Sequence, residues 1–262
     1  DLIISYNNVG LVYMNMGECL KALSSFEQSL EIQKVALPPN DPELASLYNN
    51  MGEVYNNMGE YSKAISFFER SFEIQKVTVP NHSKLASLYN NIGELYNNMG
   101  EYSKALPSYE QALEIRKLVL PRNHPDLAAS HNAIGLLYYR MGKYSKSLSS
   151  LERSLEIRKT TLSPNHPYLA ASYNSIGNVY YYMEEYSKAL SSYEDSFQIR
   201  KVSLPLNHSD LAASYYNIGI VYTKTGEHSK ALSSFEQSLE ISKGALPPNH
   251  LDFAQSYDSI GV

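Results

Sequence analysis

Histidine recurs at positions 82, 124, 166, 208 and 250, each time directly after asparagine. A repeated histidine suggests metal binding, but no H-E-x-x-H or similar two-histidine spacing accompanies it, and equivalent positions one repeat apart are too distant to share one ion. A capping or loop-packing role is predicted instead, and Asp41 takes the same place in the first repeat, as a cap would require. Cys19 replaces the tyrosine of the Gly-Glu-Tyr-Ser-Lys phrase; without a paired histidine or second thiol it reads as a tolerated substitution, not a nucleophile. Glutamates such as Glu31, Glu156 and Glu240 recur in Ser-Leu-Glu-Ile phrases and read as solvated helix-face charges. Neither a G-x-x-x-x-G-K-S/T loop nor a G-x-G-x-x-G turn occurs, so the chain is expected to be no enzyme, with no metal and no cofactor. Asn81-His82-Ser83 and Asn207-His208-Ser209 match the glycosylation acceptor pattern, but serine there stands in for the proline of sister repeats. The chemistry that remains is that of asparagine, whose short side chain carries one acceptor and two donor hydrogens and can hold both the N–H and the C=O of an extended peptide.

The composition excludes several partners. Lys+Arg 22 against Asp+Glu 27 gives a net charge of -5, without the basic excess that nucleic acid binding requires. No apolar run approaches the roughly 18 residues of a membrane span, and the N-terminus lacks signal-peptide order, so a cytoplasmic protein is expected. One cysteine excludes an internal disulfide framework. The composition is otherwise ordinary, apart from Tyr 23 with Trp 0 and abundant asparagine.

That skew comes from a repeat. Glycine stands at 10, 52, 93, 135, 177, 219 and 261, in steps of 42, 41, 42, 42, 42 and 42. Tyrosine follows three residues later in the first six units, and alanine twelve later in all of those but the fourth, which has Ser147. The short step is a loop deletion, Val79-Pro80-Asn81-His82 replacing Leu-Pro-x-Asn-His, which leaves the helical phase untouched. Each unit holds two helical patterns. In the fourth, the first runs from about Pro125 to Met141 and stops at Gly142; Gly17, Gly59, Gly100 and Gly226 hold the same stop. Glycine closes a helix in the left-handed conformation, so Glu184 at that place should cost about 1 kcal/mol. The second helix begins with Tyr-Ser-Lys-Ala-Leu, and Pro107 inside the third one predicts a local kink or shift on its exposed side.

Helix pairs of this kind cannot bury their apolar faces individually and must stack as an α-solenoid. Tyr89, Gly93, Tyr96, Ala105, Tyr109 and Ala112 match in order the signature of the tetratricopeptide repeat, which the chain resembles over its whole length. The 42-residue period and the His-Pro-Asp-Leu-Ala-Ala-Ser-x-Asn phrase at 124–132 look more specifically like the kinesin light chain type. The resemblance implies an all-α fold, a right-handed α-solenoid of about six antiparallel helix-pair repeats forming one array over residues 1–262. It also implies a concave groove that recognises short segments carrying acidic and aromatic residues. Such arrays are reused in unrelated proteins, so fold carries further than function.

With the framework glycine as position 8 of the first helix and 100° per residue, positions 1, 4, 7, 8 and 11 form the packed face. Positions 2, 5, 6, 9, 12 and 13 lie opposite, on the side that lines the groove in arrays resembling this one. Position 5 holds Asn7, Asn49, Asn90, Asn132 and Asn174, then Tyr216; position 6 holds Asn8, Asn50, Asn91, Ala133, Ser175 and Asn217. The groove also changes character, from Glu53, Asn56, Asn57 and Glu94, Asn97, Asn98 to Leu136, Tyr139, Arg140 and Asn178, Tyr181, Tyr182. In the later half, Arg140 and Lys224 would pair a carboxylate, and Tyr182 and Tyr216 would stack an aromatic side chain. Adjacent helices about 8–10 Å apart would meet every third residue of a ligand advancing about 3.3 Å per residue. At about 0.5–1.5 kcal/mol per hydrogen bond, offset by ordering costs, micromolar affinity is expected.

Three classes stay open at this level: a non-catalytic scaffold for a partner peptide, the targeting or regulatory array of a larger enzyme or motor protein, and a purely structural solenoid with hydrated asparagines. Residue 1 enters in the Asp-Leu phase seen at 126–127, and residue 262 stops one position past a framework glycine. Both ends interrupt a repeat, so a segment of a longer protein is expected, with exposed apolar end faces favouring end-to-end association.

Overall fold

The computed structural model describes residues 2–77 and 82–245; Val79, Pro80, Asn81, His250 and Gly261 of the repeat pattern lie outside them. Twelve helices make six antiparallel hairpins, and no strand occurs among the described residues. The chain divides into two compact units, residues 1–122 and 123–262. The first contains α1 (Leu2–Asn15), α2 (Cys19–Ala36), α3 (Pro42–Asn57), α4 (Tyr61–Val77), α5 (His82–Asn98) and α6 (Tyr102–Val119). The second contains α7 (Pro125–Arg140), α8 (Tyr144–Thr161), α9 (Pro167–Tyr182), α10 (Tyr186–Ser203), α11 (Ser209–Lys224) and α12 (His228–Ala245). Within each unit every hairpin packs against the next, giving the all-α solenoid that the repeat requires.

The helix ends follow from the local sequence. His124, His166 and His208 have extended backbone, and their Nδ1 atoms accept the backbone N–H two residues on, each at 3.1 Å. Asp41 does the same through Oδ1, accepting from the Glu43 N–H at 2.8 Å. These side chains satisfy backbone donors that the first helical turn cannot pair, so the histidines at 124, 166 and 208 are caps, while His82 is itself the first residue of α5. Proline at the first helical position of α3, α7 and α9 lacks a donor that would otherwise need a partner. The turn inside each hairpin closes on a left-handed residue, Gly142 at φ 69 for example, and Glu184 adopts φ 62 at the same place. The α6 helix runs uninterrupted through Pro107, whose side is exposed.

Two kinds of contact recur in the hairpins. The framework glycine lets the second helix approach closely: a Cβ on Gly177 would sit 2.7 Å from ring carbons of the fully buried Tyr193. A buried serine on the second helix also donates to a carbonyl of the first, as in Ser71 to Ala45 (2.7 Å), Ser154 to Ala128 (2.7 Å), Ser196 to Ala170 (2.8 Å) and Ser238 to Ala212 (2.9 Å). In the third hairpin Ala112 takes that position and has no hydroxyl to donate. The odd Ser147 has a compensating bond, since its buried hydroxyl donates to the Gly135 carbonyl at 2.7 Å. The repeated tyrosine at position 11 lies under a lysine of the next helix, as with Lys63 over Tyr55 and Lys188 over Tyr180, both at 5.3 Å.

Candidate functional site

The asparagine positions lie on the first helices, and those at positions 5 and 6, apart from the exposed Asn8, are half-buried, not freely hydrated. Their amides bond to each other across neighbouring hairpins. In the first unit Asn91 Nδ2 donates to Asn49 Oδ1 at 3.2 Å, and Asn98 Nδ2 to Asn56 Oδ1 at 3.2 Å. In the second, Asn217 Nδ2 donates to Asn174 Oδ1 at 2.9 Å. In two of these pairs position 6 of one hairpin donates to position 5 of the preceding one, and in the third position 13 donates to position 12, which the periodicity of a single helix does not reveal. Each such pair uses one N–H and one carbonyl oxygen. Asn91 Nδ2 also reaches Glu53 Oε2, at 3.4 Å, whereas the second amide hydrogen of Asn217, the amide hydrogens of Asn49 and Asn174, and the Asn91 and Asn217 oxygens have no partner among the described residues.

In the first unit Asn50 and Asn90 are half-buried on the same face, while Asn8, Asn57 and Asn98 are exposed. Asn8 borders a shallow depression with Val9, Val12 and Tyr13. The Oδ1 atom of Asn7 is buried with no partner among the described residues. Glu53 is also on this face; burial, then the nearby charge of Glu94, raises its carboxyl above the ordinary range, while a bond from Asn91 Nδ2 at 3.4 Å opposes the rise.

The second unit is aromatic. Tyr182 stacks on Tyr144 at 5.8 Å between ring centroids and meets Tyr139 edge-on at 5.6 Å. Burial raises the Tyr139 phenol to about 12, helped by Tyr182 and Tyr144. Asn178 is held from behind, its Oδ1 accepting from the hydroxyl of the core residue Tyr193 at 2.7 Å. Tyr216 leans against Phe235 at 5.6 Å, so part of its ring serves the hairpin core. Arg140 and Lys224 are the exposed last residues of α7 and α11, on separate hairpins.

Two basic residues of the second helices bond to the first helix of the next hairpin, and one of them also reaches an asparagine of this face. Arg158, from α8, donates through Nη1 to Ser172 Oγ at 2.6 Å, to the Tyr168 carbonyl at 3.3 Å and to Asn132 Oδ1 at 3.5 Å. Its guanidinium also lies 5.4 Å from the Tyr168 ring. Arg200 on α10 repeats the arrangement, with Nη1 donating to Ser214 Oγ at 2.8 Å and to the Asp210 carbonyl at 3.2 Å. Burial lowers the pKa of both guanidiniums, with Tyr168 and Asp210 respectively opposing it. The sequence signal was a column of the repeat that reads Gln33, Gln75, Arg116, Arg158, Arg200 and Ser242. In the first unit, Gln33 and Gln75 donate to Ser29 (3.3 Å) and Ser71 (3.2 Å) of their own helices, and their buried Oε1 atoms find no partner among the described residues.

Comparison with known proteins agrees with this architecture. Tetratricopeptide repeat models match residues 1–77, 84–160, 126–201 and 211–252. No curated protein matches the chain. Among solved structures, BtubC (BKLC) from P. vanneervenii superposes with a TM-score of 0.70 at 18% identity, covering 95% of this chain and 93% of that one. The TPR-like repeats of a kinesin-light-chain-like protein from Podosopora anserina give a TM-score of 0.69 at 21% identity, covering 78% of this chain and 97% of that one. The tetratricopeptide sensor-bearing STAND protein PH0952 of Pyrococcus horikoshii gives 0.82 at 16% identity, covering 98% of this chain but 38% of its own. At these identities the likeness is one of fold.

Proposed function

The chain belongs to the tetratricopeptide repeat family, and we propose that it is a non-catalytic scaffold that holds an extended peptide of a partner protein along the asparagine face of a single array. Proteins of this fold serve generally as protein-interaction scaffolds; the asparagine ladder is this chain's own feature. The observation that carries the reading is the pairing of Asn91 with Asn49 and of Asn217 with Asn174. Each pair fixes two amide groups in orientation before a ligand arrives, so their unused donors and acceptors meet a peptide backbone without first losing rotamer entropy. Arg140 and Lys224 would take a ligand carboxylate, and the Tyr182 ring would take a ligand aromatic. A cytosolic setting fits the single free thiol of Cys19.

The test is selection of ligands from a random peptide library on the 262-residue chain, followed by affinity measurement on Asn90→Ala with Asn132→Ala, and on Arg140→Ala. Micromolar peptides that lose affinity in both variants support the groove; unchanged affinities sink it. Raised salt should weaken the Arg140 contribution and leave the asparagine contribution nearly constant. A second reading takes the same pairs as glue between hairpins in a structural, self-associating solenoid. On that reading the asparagine variants lose stability without losing any selected ligand, and mass in solution rises with concentration.

A further inference from the structure

A second surface stands apart from the asparagine face. Between α4 and α5 lies an open apolar depression of about 240 Å³, walled by Ile65, Phe72, Tyr89 and Ile92 and flanked by Glu69 and Glu73. Tyr89, Ile92 and the neighbouring Tyr96 occupy positions 4, 7 and 11 of their helix, opposite the asparagines by helical phase. The Phe72 and Tyr89 rings meet edge-on at 5.8 Å and are half-buried, so the walls are formed without a ligand. An apolar cavity of about 150 Å³ is enough to admit benzene, so this one can take a large side chain.

The two carboxylates make the site selective. Glu69 and Glu73 are exposed on successive turns of α4, and no described residue pairs with either. The corresponding seam between α8 and α9 is occupied by its own groups. There the Tyr180 hydroxyl bonds to Glu152 at 3.5 Å, Arg153 pairs with Glu156 at 2.5 Å, and Lys159 lies 5.1 Å over Tyr173. At α4 and α5 the same columns leave both acids unpaired over an open apolar floor. An apolar residue without positive neighbours would leave them unanswered, and an acidic segment would be repelled.

We infer that the α4–α5 seam is a second docking site, taking one large apolar side chain from a basic segment of a partner protein. The probe is a nine-residue peptide with a central phenylalanine flanked by two arginines on each side, titrated into the full chain carrying ¹³C-labelled isoleucine methyls. The Ile65 and Ile92 methyl resonances should shift and saturate, and replacing the peptide's phenylalanine by serine should abolish the shifts. Glu69→Gln with Glu73→Gln, both exposed and so compatible with folding, should weaken binding about three- to tenfold at low salt. Silent Ile65 and Ile92 resonances would overturn the proposal. So would full affinity in the double glutamine variant, which would mark a merely apolar pocket.

Discussion

The side chain of Asn217 donates to that of Asn174 across 2.9 Å, so a polar residue on one first helix holds its counterpart on the preceding one. If the bond joins hairpins, the two residues must be coupled energetically. Asn174→Ala and Asn217→Ala should each destabilise, and the double variant should cost less than their sum by about 0.5–1.5 kcal/mol. Denaturant unfolding of the four proteins of the cycle measures this term; strict additivity would reduce the bond to a bystander.

Glu184 sits at φ 62, where the other hairpin turns use glycine. A side chain in left-handed backbone is strained even in open space, and a Cβ at Gly142, in the corresponding turn of the preceding hairpin, would meet nothing within 4 Å. Glu184→Gly should therefore stabilise by about 1 kcal/mol, and Gly142→Ala should destabilise by about as much. Thermal melts of the two variants should move in opposite directions.

The histidine caps predict an exchange rule. His166→Ala removes the acceptor of the Tyr168 N–H and should cost about 0.5–2 kcal/mol, whereas His166→Asp should retain most of it, because Asp41 already caps α3 in the same way. Equal losses in the two variants, measured by urea unfolding, would assign the imidazole to packing instead.

Glu53 predicts a pH dependence. Burial and Glu94 raise its carboxyl in the folded chain, so folding favours the protonated form. That stability is present below the unfolded carboxylate's ordinary value near 4.5 and is lost as pH rises through the higher folded value. Glu53→Gln keeps a neutral side chain at all pH, so its advantage over the parent protein should grow from pH 4 to pH 7. A melting difference that is flat with pH would remove Glu53 from this account.

What is legible in the sequence is whatever a single helix decides about itself. The first helix of the fourth repeat is predicted from Pro125 to about Met141 and observed from Pro125 to Arg140, with Met141 as its C-cap, because proline, glycine and cap residues act within a few positions. The histidine and Asp41 caps and the strained turn at Glu184 are legible for the same reason. Where side chains reach another helix, the spacing is silent. Ser147 reads as drift from alanine until its bond to the Gly135 carbonyl is seen. Arg158 falls on no groove position of a first helix, yet it spans to Ser172 and Asn132 from the second. The asparagine face is legible as a pattern, but its cross-hairpin bonds depend on how far apart adjacent helices settle.

The alanine at 112 has a consequence for how the first unit comes apart. Its neighbouring hairpin is pinned by Ser71 to the Ala45 carbonyl at 2.7 Å, whereas Ala112 of α6 offers no hydroxyl for the corresponding bond to α5. Opening in a stacked array is set hairpin by hairpin, so backbone amides of α5 and α6 should trade protons for deuterons sooner than those of α3 and α4. Restoring the hydroxyl with Ala112→Ser should slow that exchange. A gene that copies one hairpin many times can set where its product frays by withholding a single oxygen atom.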